Sequence, residues 1–279
     1  DILANALLGL SAVIAKEQPD MILVQGDTTT ALAGALAGYH ARIPVGHVEA
    51  GLRTGDIYAP FPEEGNRMFI GRIAALHFSP TEANKKNLLR EGIDTKQIHI
   101  TGNTGLDALK WVVARNKVKG DIHKHLPEVL HPVLASGQRI LLVTGHRREN
   151  LGEGFANIAE AFRKVVERYP DVAIVYPMHL NPKVQEPMRA ALGNIERIHL
   201  IDPLEYHPFV SLMEKAHIIL TDSGGIQEEG PGLGKPVLVL REKTERPEAV
   251  TAGTARLVGT DQAKILAELD ALLTDQDYY

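Results

Sequence analysis

The chain of 279 residues contains no cysteine, a single tryptophan and only 5% aromatic residues. Without cysteine there is no disulfide, no thiolate nucleophile and no Cys-type zinc site; a reducing cytoplasm is the location that fits. An excess of either charge is also missing, since 30 Lys plus Arg face 35 Asp plus Glu for a net charge of −5. Nothing draws the whole molecule toward nucleic acid or an anionic membrane, so neither is expected as a partner and any anion site must be local. Long hydrophobic runs are lacking too. The longest, Ile2 to Ala15, is broken by Asn5 and Ser11 and is shorter than the roughly 20 residues that span a bilayer. It has no basic flank and no cleavage site, which argues against a signal peptide. What is present, 44% apolar and 23% charged residues, is the composition of a globular protein. At roughly 100–200 residues per domain the length predicts two domains.

Short β-branched runs alternate with helical stretches along the chain, the pattern of parallel βαβ units. Strands are expected at Met21–Gln25, Pro44–Glu49, Leu76–Ser79 and Gln97–Thr101, with helices at Ile2–Lys16, Thr29–His40, Glu64–Ile73, Thr81–Glu91 and Gly105–Asn116. The segment Lys117–Gln138 is basic, then rich in His and Pro without a clear period, and reads as a linker. A second series follows, with strands at Arg139–Thr144, Val172–Pro177, Ile198–Ile201, Ile218–Thr221, Pro236–Leu240 and Ala255–Val258. Its helices are expected at Gly154–Arg168, Pro182–Leu192, Tyr206–Ala216, Ile226–Leu233 and Thr260–Leu273. The fold class is therefore α/β with two Rossmann-like domains, placed at 1–120 and 121–279. The first series opens on a helix with no strand before it and no initiating methionine. At about 30 residues per βαβ unit, the first domain is expected to be truncated.

In parallel α/β sheets, functional groups collect at the carboxyl ends of the strands. Reading those positions gives, first, VQGDTTT, where Gly26 permits a tight turn and Asp27 is either a helix cap or a site group. GHVEAGLRTGD puts Glu49 among small residues, either as an ion-pair partner of Arg53 or as a site group. FPEEGNR then supplies Glu63, Glu64 and Arg67; one of the two glutamates serves the first turn of a helix. In the second series, LLVTGHRREN ends a strand with Gly145, His146, Arg147 and Arg148, an anion or domain-cleft contact. VYPMHLNP supplies His179 and a capping Asn181 before Pro182. ILTDSGGIQEE is the sharpest feature. Gly224 and Gly225 let backbone N–H groups approach a phosphate, and Glu229, a turn further on, can accept from ribose hydroxyls. Arg241 and Arg246 follow the next strand and can reach the same anion. This is neither a Walker loop nor the G-x-G-x-x-G dinucleotide pattern. A nucleoside diphosphate held in a cleft between two Rossmann-like domains is the inference.

These strings, with PEEGNR, HFSPTE, TGNTGLDAL, GKPVLVLRE and TERPEAVTAGT, occur in an order that resembles the bacterial non-hydrolysing UDP-N-acetylglucosamine 2-epimerases and cover almost the whole chain. The resemblance implies a glycosyltransferase-B-like fold and reversible conversion of UDP-GlcNAc to UDP-ManNAc, in a homodimer, with no metal, NAD or other cofactor. UDP is eliminated to give 2-acetamidoglucal and added back to the other face, and the product feeds cell-envelope polysaccharide synthesis. Asp27, Glu49 and Glu63 match the family's catalytic acids and His146 a histidine near the diphosphate. Phe209 matches the uracil contact, Ser223, Gly224 and Gly225 the diphosphate loop, Glu229 the ribose contact and Arg246 a phosphate-side arginine. Arg147 and His179 match positions that touch a second, regulatory UDP-GlcNAc in some members. The family's N-terminal Gly-Thr-Arg-Pro-Glu segment has no counterpart here, and its closing helix is expected beyond Tyr279. Three alternatives remain at this level: a hydrolysing relative that releases ManNAc and UDP, a glycosyltransferase of the same fold, and an inactive UDP-sugar sensor.

Overall fold

The computed structural model describes residues 2–119, 126–147, 150, 152–244 and 246–279. The chain forms two compact units, Asp1–Thr104 and Gly105–Tyr279.

In the first unit α1 (Ile2–Glu17), β1 (Ile22–Gln25), α2 (Thr29–His40), β2 (Val45–Val48), α3 (Glu63–Ile73), β3 (Leu76–Ser79), α4 (Glu82–Arg90) and β4 (Ile98–Ile100) follow in order. The strands form one parallel sheet in the order β1-β2-β3-β4. Helix α2 buries Leu32 together with a set of small residues, Ala31, Ala33, Gly34, Ala35, Ala37 and Gly38. That composition lets it lie close to the sheet: a β-carbon at Gly38 would stand 2.8 Å from Val45 Cγ2. The cap of α2 is Thr28, whose hydroxyl accepts from the Ala31 N–H. Asp27, expected as the alternative cap, is engaged elsewhere.

The second unit contains α5 (Thr104–Lys119), α6 (His131–Ala135), β5 (Arg139–Thr144), α7 (Glu153–Arg168), β6 (Val172–Pro177), α8 (Pro182–Leu192) and β7 (Ile198–Ile201). It continues with α9 (Tyr206–Lys215), β8 (Ala216–Thr221), α10 (Ile226–Gly232), β9 (Val237–Val239), α11 (Pro247–Thr251), β10 (Ala255–Leu257) and α12 (Gln262–Thr274). Its parallel sheet runs β10-β9-β8-β5-β6-β7. This is the doubly wound order 3-2-1-4-5-6, with the reversal between β5 and β8, where such sheets place their ligands. The strands are apolar almost throughout because helices cover both faces. Phe155, Phe162 and Val165 of α7 and Ile265 and Leu269 of α12 lie in one core; Leu109, Val112, Val210 and Leu212 lie in the other.

The α/β class and the expected strands are found, with ends shifted by a residue or two. The units, however, divide between Thr104 and Gly105 rather than at residue 120. Helix α5 belongs to the second unit because Leu109 and Val112 are buried against Leu130 and Val133. The segment expected to be a linker accordingly contributes Leu126, Leu130 and Val133 to that core; its pieces are too short to show a period. Residues 120–125 of it lie outside the described residues, as do Arg148, Glu149, Leu151 and Glu245. Among the described residues no helix is long and apolar enough to cross a membrane.

Candidate active site

In the first unit the ends of β1 and β2 and the start of α3 carry the acids. Glu49 follows β2 with φ +66°, a left-handed conformation that non-glycine residues rarely adopt. Gly26, just past β1, has φ +69°, and a β-carbon there would stand 3.4 Å from Glu49 Oε2. Glycine therefore serves both the turn and the room for the carboxylate. His47 Nε2–H donates to the Gly26 carbonyl at 2.8 Å, tying the two strand ends together. Burial pushes the His47 imidazole down to about 4, with His77 and Arg53 acting in the same direction and the Gly26 carbonyl and Asp27 opposing.

Asp27 is held by α3. Arg67, buried, gives Nε–H and Nη2–H to Asp27 Oδ2 at 2.9 and 2.6 Å, and Asn66 donates its amide to the Asp27 carbonyl at 2.8 Å. Arg67 also donates Nη1–H to Glu64 Oε2 at 2.8 Å, while Glu64 Oε1 accepts the backbone N–H groups of Thr54 and Gly55 at 3.0 Å each. Glu64 is thus the structural member of the Glu63–Glu64 pair, its carboxylate filled with donors. Glu63 Oε2 is buried without a hydrogen-bond partner among the described residues. Arg53, weighed as a partner for Glu49, makes a bidentate pair with Glu91 at 2.6 and 2.8 Å.

In the second unit several candidate residues lie at the β5/β8 reversal. Thr144 and Thr221 share a hydroxyl hydrogen bond of 2.6 Å, and the Ser223 N–H donates to Thr221 Oγ1 at 3.0 Å. Asp222, fully buried, accepts at Oδ2 from the N–H groups of His146 and Arg147, each at 2.8 Å. The His146 ring stacks on His179 with centroids 5.1 Å apart and planes at 15°. Burial lowers the His146 pKa; Asp222 opposes this, while His179 and Arg147 add to it. His179 Nδ1 accepts from the Asn181 N–H, and Asn181 caps α8 through Lys183 N–H.

The loop after β8 is braced by polar contacts. Gln227 donates to the Ser223 carbonyl at 3.2 Å and accepts from Thr244 Oγ1 at 2.6 Å, and Thr244 Oγ1 accepts from the Arg246 N–H. The buried Arg246 guanidinium donates to Glu228, and Arg241 is buried near the end of β9. Gly224 is buried, whereas Gly225 is exposed with nothing within 4 Å of a β-carbon built on it. Tyr206 O–H donates to Glu229 Oε1 at 3.2 Å. Burial raises the Glu229 pKa against the Tyr206 bond, with Glu228 adding, and burial beside Glu229 pushes the Tyr206 phenol up to about 12. Phe209, half-buried, packs on the core from α9. Among the described residues no group of three His, Asp or Glu side chains is placed to hold a metal ion.

Against known proteins, the family described as UDP-N-acetylglucosamine 2-epimerase matches residues 1–279. The chain belongs to that family. The UDP-N-acetylglucosamine 2-epimerase of Salmonella typhimurium is 53% identical over 279 residues, all of this chain and 74% of that protein. The Neisseria meningitidis epimerase, solved with UDP-GlcNAc bound, has a TM-score of 0.95 at 46% identity, covering 100% of this chain and 74% of the other. A Methanocaldococcus jannaschii epimerase, in complex with UDP-GlcNAc and UDP, has a TM-score of 0.84 at 37% identity, covering 98% and 74%. The resemblance carried by the motif strings is thus shown over the full chain at the level of the UDP-N-acetylglucosamine 2-epimerase family.

For a 2-epimerase family member, the geometry groups the candidates in two sets. Asp27 and Glu49 flank Gly26, and Glu63 opens the helix whose Arg67 clasps Asp27. His146, Arg147 and His179 cluster around the end of β5, and Arg246 is connected to the Ser223 loop through Thr244 and Gln227. Residues the motif reading left without a role are His47, Arg67, Tyr206 and Asp222. Only Arg67 carries a sequence signal, its i,i+3 spacing from Glu64; the others depend on partners from distant segments.

Proposed function

We propose that the chain interconverts UDP-GlcNAc and UDP-ManNAc without net hydrolysis. The first unit supplies the groups that move protons and the second those that hold the nucleotide. The C2 proton next to the anomeric carbon is weakly acidic and needs a positioned base. As a carboxylate takes it, the C2–H electron pair forms the C1=C2 bond of 2-acetamidoglucal and the anomeric C–O pair leaves with UDP. Reversal delivers a proton to the opposite face of C2 while a diphosphate oxygen adds to C1. Inversion therefore needs at least two proton-handling groups, and Asp27, Glu49 and Glu63 provide them. Positive charge on the sugar in the transition state is met by these carboxylates, and negative charge on the departing diphosphate by Arg246, His146 and the N–H groups of Ser223, Gly224 and Gly225. Phe209 faces the uracil and Glu229 the ribose hydroxyls. Arg147 and His179 bind a second, regulatory UDP-GlcNAc. The protein works as a cytoplasmic homodimer without cofactor, and its product feeds polysaccharide synthesis.

The observation that carries this reading is Glu49: a carboxylate on a strained backbone at a strand end, above a glycine, beside an arginine-clasped Asp27. Backbone strain recurs at functional sites, and a nucleotide sensor needs the Ser223 loop but not three proton-handling acids. Incubation with UDP-GlcNAc in D2O should place deuterium at C2 of both UDP-sugars, with no free ManNAc at early times. Early free ManNAc as the main product supports the hydrolysing reaction instead; UDP-GlcNAc binding without C2 exchange supports the sensor. The variant Glu49→Gln should abolish exchange while keeping UDP binding, and full activity in it removes Glu49 from the mechanism.

A further inference from the structure

Asp222 is wholly buried at the end of β8, and the reaction above gives it no task. Its Oδ2 takes two short backbone hydrogen bonds, from His146 and Arg147, and a longer one of 3.4 Å from the Asn150 amide. Asn150 also donates to the Leu240 carbonyl at 3.1 Å, which ties the arrangement to the end of β9. These bonds fix the plane of the carboxylate. Its other oxygen, Oδ1, has no hydrogen-bond partner among the described residues and lies 3.6 Å from His146 Nδ1.

Gly145, the residue before His146, is closely held. Tyr176 O–H donates to the Gly145 carbonyl at 2.8 Å, and a β-carbon at Gly145 would stand 3.3 Å from that hydroxyl and 3.6 Å from Asp222 Oδ2. A buried carboxylate oxygen without a donor is costly, and the His146 ring nitrogen is positioned to supply one.

We propose that Asp222 is a positioning residue for His146, holding the imidazole with Nδ1–H toward Oδ1 so that Nε2 is the atom presented to the departing diphosphate, and stabilising the imidazolium when it forms. This deepens the role given to His146 above and rests on it. A lone imidazole in water favours the Nε2–H tautomer; a carboxylate beside Nδ1 reverses that preference and leaves the Nε2 lone pair outward, to accept or return a proton. Asp222 is also the group that favours the cation here. Burial, His179 and Arg147 all oppose protonation, and Asp222 alone among these described neighbours supports it.

The test begins with the unmodified protein. Ring nitrogen NMR shifts at pH 8 should show His146 as the Nδ1–H tautomer, with the signal assigned by its loss in His146→Gln; the Nε2–H tautomer overturns the proposal. In Asp222→Asn the amide oxygen can still accept the two backbone N–H groups, but its NH2 faces Nδ1. His146 should then titrate about one pH unit lower, and an unchanged titration in the folded variant overturns the contact. The C2 exchange rate should fall at least roughly tenfold through kcat, with KM little changed. In a His146→Gln background the same substitution should cost little more; equal losses in both backgrounds would mean that Asp222 acts only by holding the loop. Full activity of His146→Gln overturns the function given to His146, and with it the catalytic half of the proposal. The tautomer measurement separates that result from failure of the Asp222 contact.

Discussion

His47 should make the first unit lose stability in acid by a predictable amount. The side chain is 1% exposed in β2, and its Nε2 faces a carbonyl, which can only accept, so the neutral ring is the Nε2–H tautomer. Its pKa falls from 6.5 to about 4 on folding, mainly through burial. The unfolded chain thus binds a proton at higher pH than the folded one. The contribution is fully present above 6.5 and is lost as the pH falls toward 4. Integrating the two titrations between pH 7.5 and 4.5 gives a loss of about 2.5 kcal/mol. The perturbation is His47→Gln, which removes the titrating group but keeps an amide donor for the Gly26 carbonyl. Hydrogen exchange read by mass spectrometry on peptides spanning β1 and β2, corrected for intrinsic rates, gives the opening free energy at both pH values. The parent protein should lose about 2.5 kcal/mol more than the variant across that interval; His77, whose pKa burial also lowers, remains in both proteins and cancels. Equal losses in the two proteins would refute the reasoning.

Two further outcomes follow from buried charges. Removing Arg67 by substitution with alanine leaves Glu64, 1% exposed, without its cation, and should destabilise the first unit by about 3–5 kcal/mol in thermal unfolding, whereas a surface ion-pair variant such as Arg163→Ala should leave the melting temperature nearly unchanged. Replacing Tyr206 by phenylalanine removes the one bond that opposes the raised pKa of Glu229, so the carboxylate is protonated at still higher pH. If Glu229 accepts from ribose hydroxyls, calorimetry should show UDP affinity in Tyr206→Phe falling further behind the parent at pH 5.5 than at pH 7.5, and a constant ratio would count against that contact.

The lessons for reading the chain lie in particular residues. Alternating apolar runs and helical periods located the strands of both sheets, because those patterns are local and β-branched runs at this spacing have few other uses. The motif strings likewise placed the family. Local pattern could not tell that α5 joins the second unit, since Leu109 and Val112 find Leu130 and Val133 only through tertiary packing. Nor could it choose between Glu63 and Glu64, adjacent and chemically alike. The resemblance named Glu63, and in the structure Thr54, Gly55 and Arg67 saturate the Glu64 carboxylate, while Glu63 Oε2 has no hydrogen-bond partner among the described residues. Asp27 read as a possible cap because Asp is a good cap; Thr28 took that place and Arg67, 40 residues away, took the carboxylate.

By itself, then, the sequence determined the α/β class, the parallel strands and the set of acids, glycines and arginines at their carboxyl ends, since each depends on residues near one another along the chain. The tertiary structure alone decided which acid is saturated and which is open, that His47 and Asp222 are buried, and that the Asp222 carboxylate meets the backbone of His146, 76 residues away. Burial and hydrogen-bond partnership are properties of segments brought together by folding, and they decide what a titratable side chain can do.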